Sequence, residues 1–172
     1  PRVAGRAVTP LVVLVGPPGA GKSTVGRLLA ERRGVGFRDT DHDVEAVAGE
    51  SIGDLFVGRG EEVFRDLERD AVRAAVAEHA GVLALGGGAV LDASTRNLLD
   101  GQRVVFLDWG LADAVARVGL NRDRPLLLGN PRAQLRTMLE ERRPLYLEVA
   151  TVSISTDGKS VAEVADAIEE TL

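Results

Sequence analysis

Cysteine is absent from this 172-residue chain, which excludes a disulfide framework and any thiolate metal site and fits a reducing compartment. Histidine occurs only at 42 and 79. Two isolated imidazoles make no metal site, and both are expected to be exposed. No apolar run approaches the ~18 residues of a membrane span, and Pro1-Arg2-Val3-Ala4-Gly5-Arg6 is not followed by a long apolar stretch of the secretory kind. A net charge of −5 argues against a general nucleic-acid binder, because such proteins neutralise phosphates with a broad basic surface. There is no N-K-x-D guanine motif, no internal repeat and no low-complexity segment. A soluble cytoplasmic protein is expected, monomeric, with one domain over 1–172 and a loose tail over 1–8.

Lysine is the scarcest of the cations, present only at 22 and 159 against an arginine background. That scarcity makes Lys22 conspicuous, because it falls in Gly16-Pro17-Pro18-Gly19-Ala20-Gly21-Lys22-Ser23, a match to G-x-x-x-x-G-K-[ST]. The apolar run Leu11 to Val15 reads as a buried strand before it, and Ser23 to Glu31 as a helix after it. In that setting consecutive N–H groups of Gly19, Ala20, Gly21, Lys22, Ser23 and Thr24 can face phosphate oxygens at the positive end of a helix. Lys22 would reach the β- and γ-phosphates, and the Ser23 hydroxyl would ligate Mg²⁺.

Further strands are expected at Val35 to Arg38, Val82 to Leu85, Arg103 to Leu107 and Thr151 to Ser155. Between them, Val63, Phe64, Leu67, Ala71, Ala74 and Ala75 recur at helical spacing, as do Leu135, Met138 and Leu139. Ser51 with Asp54, and Ser160 with Glu163, have the spacing of a helix-capping box, and Asp92 reads as another cap. Strands alternating with helices predict an α/β fold of three α/β/α layers around a five-stranded parallel sheet. The stretch 119–131 is crowded with Gly, Asn, Arg, Asp and Pro, which predicts a mobile loop acting as a lid.

Ligands of such sheets sit beyond the carboxyl ends of the strands, so the residues there should converge. They are the phosphate loop, Asp39-Thr40-Asp41, Gly86-Gly87-Gly88 and Asp108. Asp39 and Asp41 share one face if the second strand continues through them. One would then serve the metal, and the other would accept substrate hydroxyls and remove a proton; a polar turn is the plainer alternative. The three glycines fit either a tight turn or backbone donors offered to a ligand at close range. Arg65 has Glu61 and Glu68 at ion-pair spacing, and Arg142-Arg143 has Glu140, Glu141 and Glu148 nearby, so surface pairing explains both as readily as ligand binding. Trp109 and Tyr146 read as packing residues.

Taken together, these segments resemble the shikimate kinase family, phosphate-loop kinases of the nucleoside-monophosphate-kinase type, from about Leu11 to the C-terminus. The resemblance rests on Gly16 to Thr24; Asp39-Thr40-Asp41 with Glu45; Phe64-Arg65 within Glu61 to Glu68; and Leu85-Gly86-Gly87-Gly88-Ala89. It continues in Arg122-Asp123-Arg124-Pro125-Leu126-Leu127 and Arg142-Arg143-Pro144-Leu145-Tyr146. It implies Mg-ATP-dependent phosphorylation of the shikimate 3-hydroxyl, with a substrate-binding region over 43–80. It further implies that Ser23 and Asp39 hold Mg²⁺, and that Asp41 binds the substrate hydroxyls and is the candidate base. Arg65 and Arg142 would clamp the carboxylate, Gly86, Gly87 and Gly88 would give backbone contact, and Phe56 and Phe64 would wall the ring. Arg124 would approach the phosphates from the lid, Arg117 would stack on adenine, and Asp157, Gly158 and Lys159 are the adenine-side candidates. Arg143 competes with Arg142 for the clamp, and Arg122 with Arg124 for the lid position. A kinase of another hydroxy acid, such as gluconate, and a nucleotide-binding regulator without turnover are the alternatives.

Overall fold

The computed structural model describes residues 7–110 and 131–172. Strands β1 (Val12–Val15), β2 (Phe37–Asp39), β3 (Val82–Ala84), β4 (Val104–Asp108) and β5 (Val152–Ser155) form one parallel sheet in the order β2-β3-β1-β4-β5. All five strands are where the sequence places them, within a residue or two. β1 is central because its Val12-Val13-Leu14-Val15 is apolar on both faces, and all four residues are buried. A strand with that pattern can sit only where helices cover both sides.

The helices are α1 (Lys22–Arg33), α2 (Thr40–Ala48), α3 (Ile52–Arg59), α4 (Glu61–Glu78), α5 (Ala93–Leu98), α6 (Pro131–Val149) and α7 (Val161–Glu169). The two-residue period of the strands divides the core. Val12, Leu14, Val105 and Leu107 face α1 and α7, joined by Leu29 and Ile168. Val13, Val15, Val104 and Phe106 face the other layer, where Val72, Ala75 and Val76 of α4 and Tyr146 of α6 pack on them. α2, α3 and the start of α4 stand outside both cores on a small cluster of their own, Val44, Leu55 and Phe64.

Local rules set the boundaries. Ser51 and Ser160 cap α3 and α7 by accepting from the N–H groups of Asp54 (3.1 Å) and Glu163 (3.2 Å), as their spacing predicts. One open alternative is decided and two expectations are corrected. β2 does not continue through Asp41: Asp39 Oδ1 accepts the Asp41 N–H at 2.9 Å, so Asp39 caps α2 and helix begins at Thr40. Val63 is exposed, because the apolar face of α4 runs through Phe64, Val72 and Val76 instead. His79 is half-buried, with Nε2 3.0 Å from the Val82 carbonyl oxygen, whereas His42 is exposed as expected.

Asp92 caps α5, accepting from the Thr95 N–H at 3.0 Å, and its second oxygen accepts from Arg69 Nε on α4 at 2.8 Å. The Ser94 hydroxyl, then Arg69 and the Thr95 N–H, hold its carboxyl well below the usual carboxylate range. Asp92→Ala is expected to lose about 1–2 kcal/mol at neutral pH. A group whose folded pKa is depressed contributes fully above its unfolded pKa and loses that contribution as pH falls toward the folded value. Urea melts should therefore show the gap between parent and variant closing below about pH 4.

Candidate active site

The strand order reverses direction at β1, and the loop that follows this strand lies in the crevice so formed. Gly19 and Gly21 adopt φ of 81° and 91°, conformations that a side chain would strain, and they turn the loop sharply into α1. Lys22 is half-buried, and its Nζ donates to the carbonyls of Gly16 (2.7 Å) and Pro17 (3.0 Å) across the loop. One helical residue further, Ser23 Oγ donates to Asp39 Oδ2 at 2.6 Å. Asp39 is only 9% exposed and divides its two oxygens between the α2 cap and Ser23.

These groups line a cleft of about 340 Å³ with Asp41, Leu85 and Gly87. A hydroxyl and a carboxylate side by side at a phosphate-type loop are hard oxygen donors of the kind Mg²⁺ takes, with phosphate and water completing its shell. The two residues fit that ion. Among the described residues no cluster of three His, Cys, Asp or Glu side chains offers another metal site.

Beside this cleft the glycine run explains itself by what touches it. A Cβ on Gly86 would lie 2.5 Å from Asp41 Oδ1 and 2.8 Å from Glu68 Oε2, and one on Gly88 would strike the Arg65 guanidinium. The glycines therefore let three functional side chains close over one backbone segment, beyond what a tight turn alone requires. Arg65 makes both ion pairs that its spacing predicts, Nε to Glu61 at 3.5 Å and Nη1 to Glu68 at 2.7 Å. They do not make it a surface residue: its guanidinium also lies over the Phe64 ring, which leans on Phe56 at 5.6 Å between centroids.

Glu68 was legible only as a partner for Arg65. It is 4% exposed, and burial pushes its carboxyl above the ordinary value against the pull of Arg65 and Arg142. No signal in the sequence separates this buried carboxylate from a solvated one at the same spacing. Glu45, singled out with the Asp39-Thr40-Asp41 segment, accepts from the Ile52 N–H at 3.2 Å and so ties α2 to α3.

The adjacent arginines of α6 part company. Arg142 is 7% exposed and faces Glu68 and the Tyr146 hydroxyl. Arg143 is 54% exposed and pairs with Asp108 at 2.9 Å, on the wall of a separate 360 Å³ cavity with Pro17, Trp109 and Asp157. Neighbouring residues of a helix point about 100° apart, and here that angle sends one guanidinium into the Arg65 cluster and the other to β4. Glu148 pairs instead with Arg96 at 3.0 Å. Trp109 and Tyr146 are buried packing residues, as expected, and Tyr146 stacks on Phe106.

On the expected adenine side, Asp157 accepts the Gly110 N–H at 2.8 Å and Lys159 is exposed on the turn after β5. Arg117, Arg122 and Arg124 lie outside the described residues. So does the expected lid over 119–131, except for its last position, which opens α6. No helix among the described residues is long and apolar enough to cross a membrane.

Comparison with known proteins agrees with this geometry. The family model for shikimate kinase matches residues 18–172. A shikimate kinase of Frankia casuarinae is 61% identical over 162 residues, covering 94% of this chain and 72% of that protein. The structure of shikimate kinase from Acinetobacter baumannii in complex with shikimate superposes with a TM-score of 0.90 at 38% identity, covering 95% of this chain and 92% of that one. A gluconokinase from Sinorhizobium meliloti, at 23% identity and a TM-score of 0.56 over 94% of this chain and 90% of its own, shares the fold alone.

Proposed function

Since the chain belongs to the shikimate kinase family, and so transfers a phosphoryl group from ATP to shikimate, we propose that its two adjoining clusters divide that work between them. The observation that carries this reading is that Asp41, which packs on Gly86 beside Glu68, lines the same cleft as the Ser23–Asp39 pair two residues before it. Neither cluster alone would favour an acceptor next to the transferred phosphate.

In the proposed mechanism, backbone N–H groups from Gly19 to Thr24 and the Lys22 ammonium bind the nucleotide phosphates, and Lys22 exchanges two loop carbonyls for phosphate oxygens. Ser23 and Asp39 would hold Mg²⁺, which neutralises charge on the phosphates when bound. Arg65 and Arg142 bind the acceptor carboxylate with their guanidinium forks, a planar match that ammonium groups lack. Glu68 holds both forks in position from below. Asp41 accepts from the acceptor hydroxyl and takes its proton as the new O–P bond forms and the bond from the γ-phosphorus to the bridging oxygen breaks, releasing ADP. Phe56 and Phe64 supply an apolar wall that keeps water from the ring. Arg124, Arg117 and Lys159 are assigned to the nucleotide by resemblance, and 119–131 to a lid over it. We assign the whole reaction to one chain, both of whose clusters are built from its own residues, and take the cytoplasm as its compartment.

A coupled phosphotransfer assay over shikimate, gluconate and related hydroxy acids tests the reading. Turnover is expected with shikimate and to be lost with acyclic gluconate, which cannot lie flat against Phe64. Preferential turnover of gluconate, or ATP binding without transfer to any acceptor, would overturn it.

A further inference from the structure

Thr40, between the aspartates, and Tyr146, at the end of the Arg142 segment, belong to the motifs but carry no role in that mechanism. Both are fully buried, and both bond to the same backbone. Thr40 Oγ1 accepts the Gly86 N–H at 3.1 Å, and the Tyr146 hydroxyl donates to the Gly87 carbonyl at 2.5 Å. The two bonds come from α2 and α6, on different sides of the glycine segment. We infer that Thr40 and Tyr146 are positioning residues which hold the Gly86–Gly88 backbone in the orientation that binds the acceptor.

Glycine is what makes such pins necessary. Three glycines in sequence admit Asp41, Glu68 and Arg65 at close range, but the same lack of side chains leaves their dihedrals less restricted than any other residue would. Two fixed atoms remove most of that freedom. A peptide unit is planar and trans, so holding the Gly87 carbonyl toward Tyr146 turns the Gly88 N–H to the opposite side. That residue lies against the Arg65 guanidinium, and no hydrogen bond from its N–H is made among the described residues. The N–H is thus left available beside the carboxylate clamp.

Tyr146 is suited to the task. Its ring is stacked on Phe106 of β4 with centroids 5.0 Å apart, which fixes the hydroxyl against the sheet. Burial raises its pKa to about 12, so the hydroxyl keeps the proton that it donates. It also faces Arg142, four residues earlier on α6. One side chain thereby sets both the floor and one arm of the clamp.

The inference rests on the proposed substrate reading, and parent enzyme is assayed alongside the variants for that reason. Tyr146→Phe keeps the ring stack and removes only the hydroxyl, and Thr40→Val keeps the shape and removes the acceptor. Each is expected to raise the KM for shikimate by about tenfold, the effect of one lost hydrogen bond in a closed site, with the KM for ATP unmoved. Thr40→Ser is expected to return the parental value. If either variant loses thermal stability yet keeps the parental KM for shikimate, or raises both KM values alike, the residues only support the fold and the inference is wrong. If the parent itself fails to phosphorylate shikimate, the substrate reading falls and takes this inference with it.

Discussion

Lys22→Ala is expected to lower kcat by about 10²–10³-fold or more, the scale seen when one preorganised charge or donor is removed from a developing negative charge. Circular dichroism and thermal melts should stay near the parental ones. Lys22 is half-buried on the wall of an open cleft, and the two loop carbonyls it bonds can be served by water once the ammonium is gone. Near-parental turnover would show that the phosphates bind elsewhere. Asp39 is a less clean target than its motif suggests, since the same carboxylate caps α2 and bonds Ser23. Alanine there removes a cap worth about 1 kcal/mol along with the ligand for the metal; Asp39→Asn keeps the cap and isolates the chemistry.

The second large effect belongs to Arg142. Arg142→Ala removes one of two guanidinium groups from a buried cluster and leaves Glu68 dependent on Arg65 alone, a loss in the range of about 2–5 kcal/mol for a desolvated charge pair. The KM for shikimate should rise by at least an order of magnitude, with little change in the KM for ATP. Arg143→Ala is the control: its exposed pair with Asp108 is worth about 0–1 kcal/mol, and its shikimate kinetics should match the parent. Calorimetry that found the loss at Arg143 instead would move the clamp to the other side of α6.

How far the sequence could be read follows from whether a signal is local. The strands, the serine caps at 51 and 160, and the phosphate loop are each specified within a few neighbouring residues, and each is where the pattern puts it. The sequence leaves open whether β2 continues through Asp41, because Asp39 is equally at home as the last residue of a strand and as the cap of a helix, and only the Asp41 N–H decides between them. Arg142 and Arg143 were inseparable for a different reason. Their sorting depends on where α6 lies against Gly87 and β4, which is a matter of packing across 59 residues of chain. The burial of Glu68 is likewise imposed from outside its helix, by a glycine at 86 that leaves room for a carboxylate.

α4 belongs to two bodies at once. Its second half is locked into the sheet through Val72, Ala75 and Val76, while its first half shares with α2 and α3 a cluster of three buried side chains and the half-buried ones around them. A unit with so little apolar burial has a lower free energy of opening than the sheet it rests on. Arg65 and Glu68 lie between Phe64 and Val72 on this helix, so the acceptor clamp sits where the half locked to the sheet meets the half that carries Phe64. Loosening is then easiest in α3 and the C-terminal end of α2, because the start of α2 is tied to Ser23 through Asp39 and to Gly86 through Thr40.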